Sequence, residues 1–459
     1  MISKFKDIRY STFVLLGIVQ LYPWNSMLSL TQFMTHDVFK DTTVYAKTYA
    51  STMMSVSTIT SVIVNYFLSK KQFGFTGRIT KGIIWQLIVF ISLTVLICIV
   101  SSLKMGFTYF VINFLTFVSS FGTSALQNGT MAWSNIYGSE VYSQAVMFGQ
   151  AVAGVVPSLL LFALSFVNVK SIIMDDENNV DYDNEATSKA GVILYFISTI
   201  LLCLFALIVF KISKIGRDKE IGTTDETRLL EQGTSAGSDT NKVFDSENHH
   251  MTSLGDTQDD NSVKKNIPLL ELYKKVKYNV LSIFTCFVVT LLFPVFAGNT
   301  YVSGLPMNNS QFIPLAFLVW NIGDLYGRYI AKPDNFITKP FFKNNSVEND
   351  QSKKKLLFYS VLRTLNVPLF FTCNILNSKA EGGFFIDFWY LFLQFFFGLT
   401  NGHCIAISFM TMGDNLENED DNFKASVGGF SLIFVSAGLT VGSLISYIGV
   451  FIIDLVYGK

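Results

Sequence analysis

The stretch "FLVWNIGDLYGRYIA", residues 317–331, sets a carboxylate, Asp324, and a guanidinium, Arg328, inside an apolar run. Spaced i and i+4, they share one helix face about one turn apart. Asn321, three residues before Asp324, adds an amide to that face. An ionised group at mid-bilayer costs about 2.5–3.5 kcal/mol on insertion scales, and mutual pairing cuts the cost. The pair therefore reads in two ways. It is an internal ion pair that packs its helix against neighbours, or a polar patch for a hydroxyl-rich solute. Opposite charges plus an amide offer donors and acceptors together with no net charge. That suits a neutral polyol such as a ribose, and suits a phosphate or a simple cation poorly. Intramembrane ionisable residues are functional by default, which favours the second reading.

Other side chains are suited to the rest of such a site. Gln127 and Asn128, in "LQNG" at 126–129, carry amides of the kind that read a base edge. Trp24 and Asn25, in "YPWN" at 22–25, offer an aromatic plate and an amide, and Phe293 in "FPVF" at 293–296 offers a second plate. The alternative for the amides is interhelical hydrogen bonding. For the aromatics it is packing or interfacial anchoring. Arg363 lies too deep in its span to snorkel and reads as structural, with a buried carbonyl or carboxylate as partner. His403 reads as a satisfied packing residue, and Asp387, near a helix end, as a group facing water.

The elements that must position these residues are membrane helices. The 459-residue chain is 50% hydrophobic and only 15% charged, where soluble domains carry about 25%. Its formal net charge of +0 gives no basic field for nucleic acid. Five cysteines stand scattered in apolar runs without a C-x-x-C pair, so neither a zinc site nor a disulfide framework is expected. No Walker loop, H-E-x-x-H, G-x-S-x-G or glycine-rich dinucleotide turn occurs, so nothing points to an enzyme, a cofactor or ATP-driven pumping. The expected class is an all-α integral membrane protein in the lipid bilayer.

Eleven apolar segments are long enough to span the bilayer, near 11–33, 44–68, 80–102, 107–134, 144–168, 189–212, 277–300, 310–331, 354–376, 384–410 and 425–455. The first has a basic flank like a signal peptide, but Pro23-Trp24-Asn25 follows where small cleavage-site residues should stand, so it reads as a helix. A cytosolic N-terminus places most of the 34 lysines and arginines on the cytosolic side, among them Lys70, Lys71, Arg78, Lys211, Lys214 and Lys353 to Lys355. The acidic loop 174–186 and the sequon at Asn308 then fall outside. Residues 213–275 are rich in Asp, Lys, Ser, Thr and Gly, which predicts a disordered cytosolic loop between an N-terminal six-helix half (1–212) and a C-terminal five-helix half (276–459). Within it, "DETRLL" at 225–230 sets Asp225 four residues before the pair Leu229-Leu230. That form is read by the vesicle-coat adaptors that sort proteins to vacuoles or lysosomes, and it also arises by chance in a polar loop.

The two halves repeat one another. An aromatic-proline pair opens each: Tyr22-Pro23 and Phe293-Pro294. The fourth helix of each carries Leu-x-Asn-Gly, as "LQNG" and "LTNG". The fifth carries spaced small residues, Gly149, Ala153 and Pro157 against Gly438, Gly442 and Ser446, which let backbones approach. Helix breakers at matching places in two halves point to a site between them. The predicted architecture is a 6+5 bundle with pseudo-two-fold symmetry.

These residues resemble the equilibrative nucleoside transporter family along nearly the whole chain. The matching pieces are "YPWN", "LQNG", "FGQAVAG" at 148–154, "FPVF", "WNIGDLYGR", "RTLNVPLFFTCN" at 363–374, "TNGH" at 400–403 and "SAGLTVGSLISY" at 436–447. Asn-x-x-Asp-x-x-Gly-Arg is the most specific. "YPWNSMLSLTQFMTHDVFKDT" and "FTCFVVTLLFPVFAG" are closest to the fungal vacuolar branch. The resemblance implies eleven helices, a major-facilitator-like fold and nucleosides as substrate. It implies ribose contacts from Asp324 and Arg328, with Asn321 shaping that pocket, and a base contact from Gln127. Trp24, with Phe293 nearby and Met53 or Met54, would line the wall. Gly149, beside Gly154, would keep the fourth and fifth helices close. Thr123 stands where animal plasma-membrane members have glycine. Facilitated diffusion across a vacuolar or, alternatively, a plasma membrane is the implied activity. A carrier of another neutral solute and a non-transporting nucleoside sensor are the rivals.

Overall fold

The computed structural model describes residues 7–40, 43–174, 181–216, 266–342, 346–413 and 416–457. The sorting string with Asp225, Leu229 and Leu230 lies outside them. Apolar runs become helices at the expected places: α1 Ile8–Phe33, α2 Val44–Lys70, α3 Phe75–Ile99, α4 Met105–Gly138, α5 Gln144–Met174 and α6 Asp181–Ile212. After residue 266 come α7 Leu269–Thr290, α8 Phe293–Asn299, α9 Asn309–Ile330, α10 Ser346–Leu362, α11 Asn366–Phe370, α12 Gly383–Met410 and α13 Asp421–Tyr457. Among the described residues, seven stretches are long and apolar enough to cross a membrane. One of them, Met105–Ala163, takes in both α4 and α5. The α9 helix is not in that set. Asn309, Gln311, Asn321, Asp324 and Arg328 dilute its apolar content.

Two expected spans are interrupted. The 277–300 run breaks after Thr290, and α8 restarts at Phe293 with Pro294 in its first turn. There the missing proline N–H costs no helical bond. The 354–376 run breaks at a 3₁₀ turn, Arg363–Leu365. Pro368 has no N–H to return to Thr364, and the Asn366 side-chain amide donates to the Arg363 carbonyl of the turn at 3.0 Å. By contrast α1 continues through Pro23. The shared aromatic-proline pair thus opens a new helix after a break in one half of the chain and lies inside an unbroken helix in the other.

Successive long helices alternate in direction. The near face, where α1 starts, carries Asp7 against Tyr142 and Gln72 against Ile267. The far face carries Thr48 against Tyr109 and Ser303 against Lys379. On the near side one apolar core joins both halves of the chain, from Tyr10, Phe75, Met131 and Ala145 to Val276, Ile405 and Phe430. On the far side the core is two separate clusters. One holds Met27, Met53, Phe90 and Ile112. The other holds Phe293, Phe312, Tyr390 and Ile453. A shallow groove of about 510 Å³ runs along α2 from Ser51 to Ile63, beside Phe117 of α4 and Tyr447 of α13. The bundle is sealed near and parted far.

Helix α9 docks on α12 through four interleaved glycines. A Cβ on Gly323 or Gly327 would overlap the Phe395 or Leu399 carbonyl, and one on Gly398 or Gly402 would overlap the Trp320 or Asp324 carbonyl. Such close approach is how helices associate where lipid removes the hydrophobic drive. Asp387 does not face water. It is 1% exposed and accepts the N–H groups of Ser303, Gly304 and Leu305 at 2.7–2.8 Å. Those bonds hold the loop that leads from α8 to α9.

Candidate functional site

Asp324 and Arg328 do share the face that their spacing dictates. Arg328 Nε lies 2.9 Å from Asp324 Oδ2, and both side chains are buried. That N–H is not aligned on the carboxylate, so the contact holds by charge and not by a directed hydrogen bond. Each partner is also tied elsewhere. Asn401 on α12 donates to Asp324 Oδ1 at 2.7 Å, and Thr290 on α7 donates to Asn401 Oδ1 at 2.6 Å. Arg328 Nη1 crosses to α5, donating to the Met147 carbonyl at 2.9 Å and to Gln150 Oε1 at 3.2 Å. Gln150 Nε2 donates to Gln20 Oε1 on α1 at 2.8 Å. A polar chain therefore threads five helices through the buried centre. It pairs the two charges and gives each a further polar partner, which lowers the cost of burying them in a low-dielectric interior.

Asn321 lies one turn toward the far side. Its amide donates to Ser158 on α5 and to the Phe317 carbonyl, both at 2.8 Å, and it packs on Gly154, where a Cβ would overlap Asn321 Oδ1. Gly154 thus seats α5 against α9. Gly149 corrects an expectation. A Cβ there would overlap the Val14 carbonyl, so it brings α5 to α1 and not to α4. Gly17 reciprocates against Val146. The glycine faces the helix that the tertiary packing supplies, which a sequence neighbour relation does not encode.

The remaining expected residues are dispersed. Asn25 donates to the Ala153 carbonyl at 2.7 Å, tying α1 to α5. Trp24 is half-buried against the far-side cluster that contains Met53, and Met54 is half-buried one residue on. Phe293 stacks on Trp320 with ring centroids 4.3 Å apart, and meets Phe317 edge-on at 4.8 Å. Gln127 is half-buried. Thr123, one turn before it, accepts from Gln86 at 2.7 Å. Among the described residues, no hydrogen bond joins Gln127 or Trp24 to the Asp324–Arg328 pair. Asn128 is fully buried and structural in its bonding, accepting from Arg78 and donating to the Gly429 carbonyl at 3.4 Å.

Arg363 is 2% exposed. It donates to Thr400 Oγ1 at 3.3 Å and to the Cys286 carbonyl at 3.5 Å, over the ring of Phe397. The partners are a hydroxyl and a carbonyl on neighbouring helices, in keeping with a packing role. His403 is buried against Thr338, 2.9 Å away, between Phe341 and Tyr359. Sequence reasoning did not single out Gln20, Gln150, Thr290 or Asn401 as site residues. Two signals were present: Gln150 lies inside "FGQAVAG", and Asn401 is the asparagine of "LTNG".

A family model described as Nucleoside transporter matches residues 112–451. The Saccharomyces cerevisiae protein named Nucleoside transporter FUN26 is 41% identical over 475 residues, 99% of this chain and 86% of that one. The chain belongs to the equilibrative nucleoside transporter family. An Arabidopsis thaliana member of that broader group, Equilibrative nucleotide transporter 4, is 24% identical across 93% of this chain and 91% of its own. In fold, this transporter is similar to a bacterial homologue of the iron transporter ferroportin solved in an outward-facing state. The TM-score is 0.50 at 9% identity, covering 97% of each chain. That likeness concerns the fold alone. With its apolar helices, this family member is an integral membrane protein.

Proposed function

We propose that this chain carries nucleosides across its membrane by facilitated diffusion, the halves 1–212 and 276–459 rocking about a central site in a major-facilitator-like 6+5 arrangement of eleven spans. One observation carries the mechanism: a single apolar core seals the near side, while two separate clusters stand apart on the far side. Rocking that closes the far clusters and parts the near core gives the other access state, with no change inside either half. No coupling ion is needed for solute to run down its own gradient.

Asp324 and Arg328 take the ribose hydroxyls, the carboxylate as acceptor and the guanidinium as donor. Gln127 takes the base edge, Trp24 and Phe293 supply aromatic walls with Met54, and Asn321 shapes the ribose side through α5. The pair is net neutral and wholly enclosed, which supports a neutral polyol over a phosphate. The near face is cytosolic in this reading, since Lys70, Lys71, Lys211 and Lys214 lie there. The acidic dileucine string and the fungal vacuolar resemblance support a vacuolar membrane, with an adaptor reading Asp225, Leu229 and Leu230.

The deciding measurement is uptake of labelled uridine, adenosine, adenine and ribose into proteoliposomes of the purified chain at pH 5.5 and 7.5. Saturable nucleoside flux, weak for free base and equal at both pH values, is the expected result. Binding without flux makes the protein a sensor. Free-base flux at nucleoside rates removes the ribose role of Asp324 and Arg328.

A further inference from the structure

We propose that Gln150, held by Gln20, is a positioning residue of the transport cycle: it occupies Arg328 while the near side is sealed, and a solute oxygen must replace it there before that side opens. The inference rests on the reading of Arg328 as a solute contact. It is carried by an orientation that the hydrogen bonds impose.

The acceptors of Arg328 Nη1, the Met147 carbonyl and sulfur and Gln150 Oε1, all lie on α5, in the other half of the chain. Because the Gln150 oxygen faces the guanidinium, its amide nitrogen must face away, and it donates to Gln20 Oε1 at 2.8 Å. That in turn leaves Gln20 Nε2 buried with no acceptor. The relay has one sense, running from the cation toward α1, and it ends on an unspent donor. Asp324 is equally engaged, its oxygens taken by Asn401 and by the Arg328 charge. In this conformation the protein itself fills the places that a polyol would fill.

A side-chain amide oxygen and a sugar hydroxyl are both neutral oxygen acceptors, so one can replace the other on Arg328 at little cost. The exchange is not neutral for the halves. The Met147 carbonyl is backbone, so it is carried away from Arg328 when α5 parts from α9. Around it stand further cross-half bonds of the same near side: Gln144 to the Ala331 carbonyl at 2.9 Å, and Ser139 to the Met410 carbonyl at 2.8 Å. These carry neutral donors. The bonds from Arg328 are charge-assisted and so the strongest of the set. They are also the ones a solute at Asp324 and Arg328 can displace. A ligand shifts a conformational equilibrium only through differential contacts. Competition for Arg328 supplies that difference.

The test uses Ala331→Cys as a reporter in the full-length chain, purified in detergent and labelled with a water-soluble maleimide. Ala331 is fully buried at the near end of α9, and the native cysteines set the background rate. Slow labelling that uridine accelerates is expected in the reporter alone. Adding Gln150→Ala speeds labelling about tenfold, the factor for losing one such bond, and uridine then adds nothing. Gln150→Glu keeps an oxygen for the guanidinium and accepts from Gln20 after an amide turn, so it labels at or below the parent rate. Gln20→Leu unpins the Gln150 amide, and it labels between the two. Labelling of Gln150→Ala at the parent rate overturns the proposal. Equal acceleration by Gln150→Glu also overturns it, since any disruption of packing would then suffice. Indifference of the parent rate to uridine, in a chain that transports uridine, overturns the competition. Uridine flux by the unsubstituted chain, measured in parallel, tests the transport reading separately.

Discussion

Asn401 on α12 donates to Asp324 on α9 across 2.7 Å, in a seam where Gly402 lies against the Asp324 carbonyl and the Arg328 side chain. Close approach and polar contact are two aspects of one arrangement. Without the glycines the helices stand too far apart for a short amide to reach the carboxylate. Asn401→Leu strands Asp324 Oδ1 without its donor and should cost about 1–3 kcal/mol of stability. A fall in the thermal unfolding temperature in detergent, with nucleoside flux reduced, is the expected result. An unchanged melt would mean that the bond contributes nothing.

The ion pair itself separates folding from transport. Arg328→Ala leaves a buried carboxylate without its cation, and breaking such a pair costs about 3–5 kcal/mol. The double substitution Asp324→Asn with Arg328→Gln removes both charges and should recover most of that stability. It should not recover flux, because the donor and acceptor strengths meant for the solute are gone. Thermal melts and proteoliposome uptake of uridine, run side by side, check both halves of the statement. Normal transport by the double variant would make the pair purely structural.

Gly327 tests the docking of α9 on α12. Alanine there drives a methyl into the Leu399 carbonyl and the His403 N–H. Overpacking of this kind costs about 1–3 kcal/mol. Lower thermal stability is expected, together with weaker uridine uptake, since Asp324 and Arg328 move with the helix. Full activity of Gly327→Ala would show that the seam has slack.

Asp387 belongs to the far-side loop and not to the solute site. Asp387→Ala removes the acceptor of three backbone N–H groups, and a hydrogen bond to a charged group contributes about 1.5–3 kcal/mol. Hydrogen exchange at residues 303–305 should speed up markedly, with little change in the amides of α5. Exchange that stays slow at 303–305 would mean that the loop is held by other contacts.

Some of this protein was legible without a fold. Apolar length is a local property, so the helices at 44–70, 105–138 and 383–410 stood close to where the hydropathy of the chain set them. The shared face of Asp324 and Arg328 needs only the pitch of one helix. The breaks after Thr290 and at Arg363 were not legible. An apolar run reads as continuous, and whether it bends depends on which neighbours cap the freed carbonyls.

Spacing within one segment therefore settled which residues could act together, because i and i+4 is a local relation. Which residues each of them meets was decided by packing between segments far apart in the chain. Asp324 gained Asn401, Arg328 gained Met147 and Gln150, and Gly149 gained α1, since each partner is chosen by helix approach. Asp387, one carboxylate near a helix end, reads as solvated in sequence and is buried in the fold because a loop folds three N–H groups onto it. The sealed near side and the parted far side likewise arise from how two sets of helices lean together, a relation that no single segment contains.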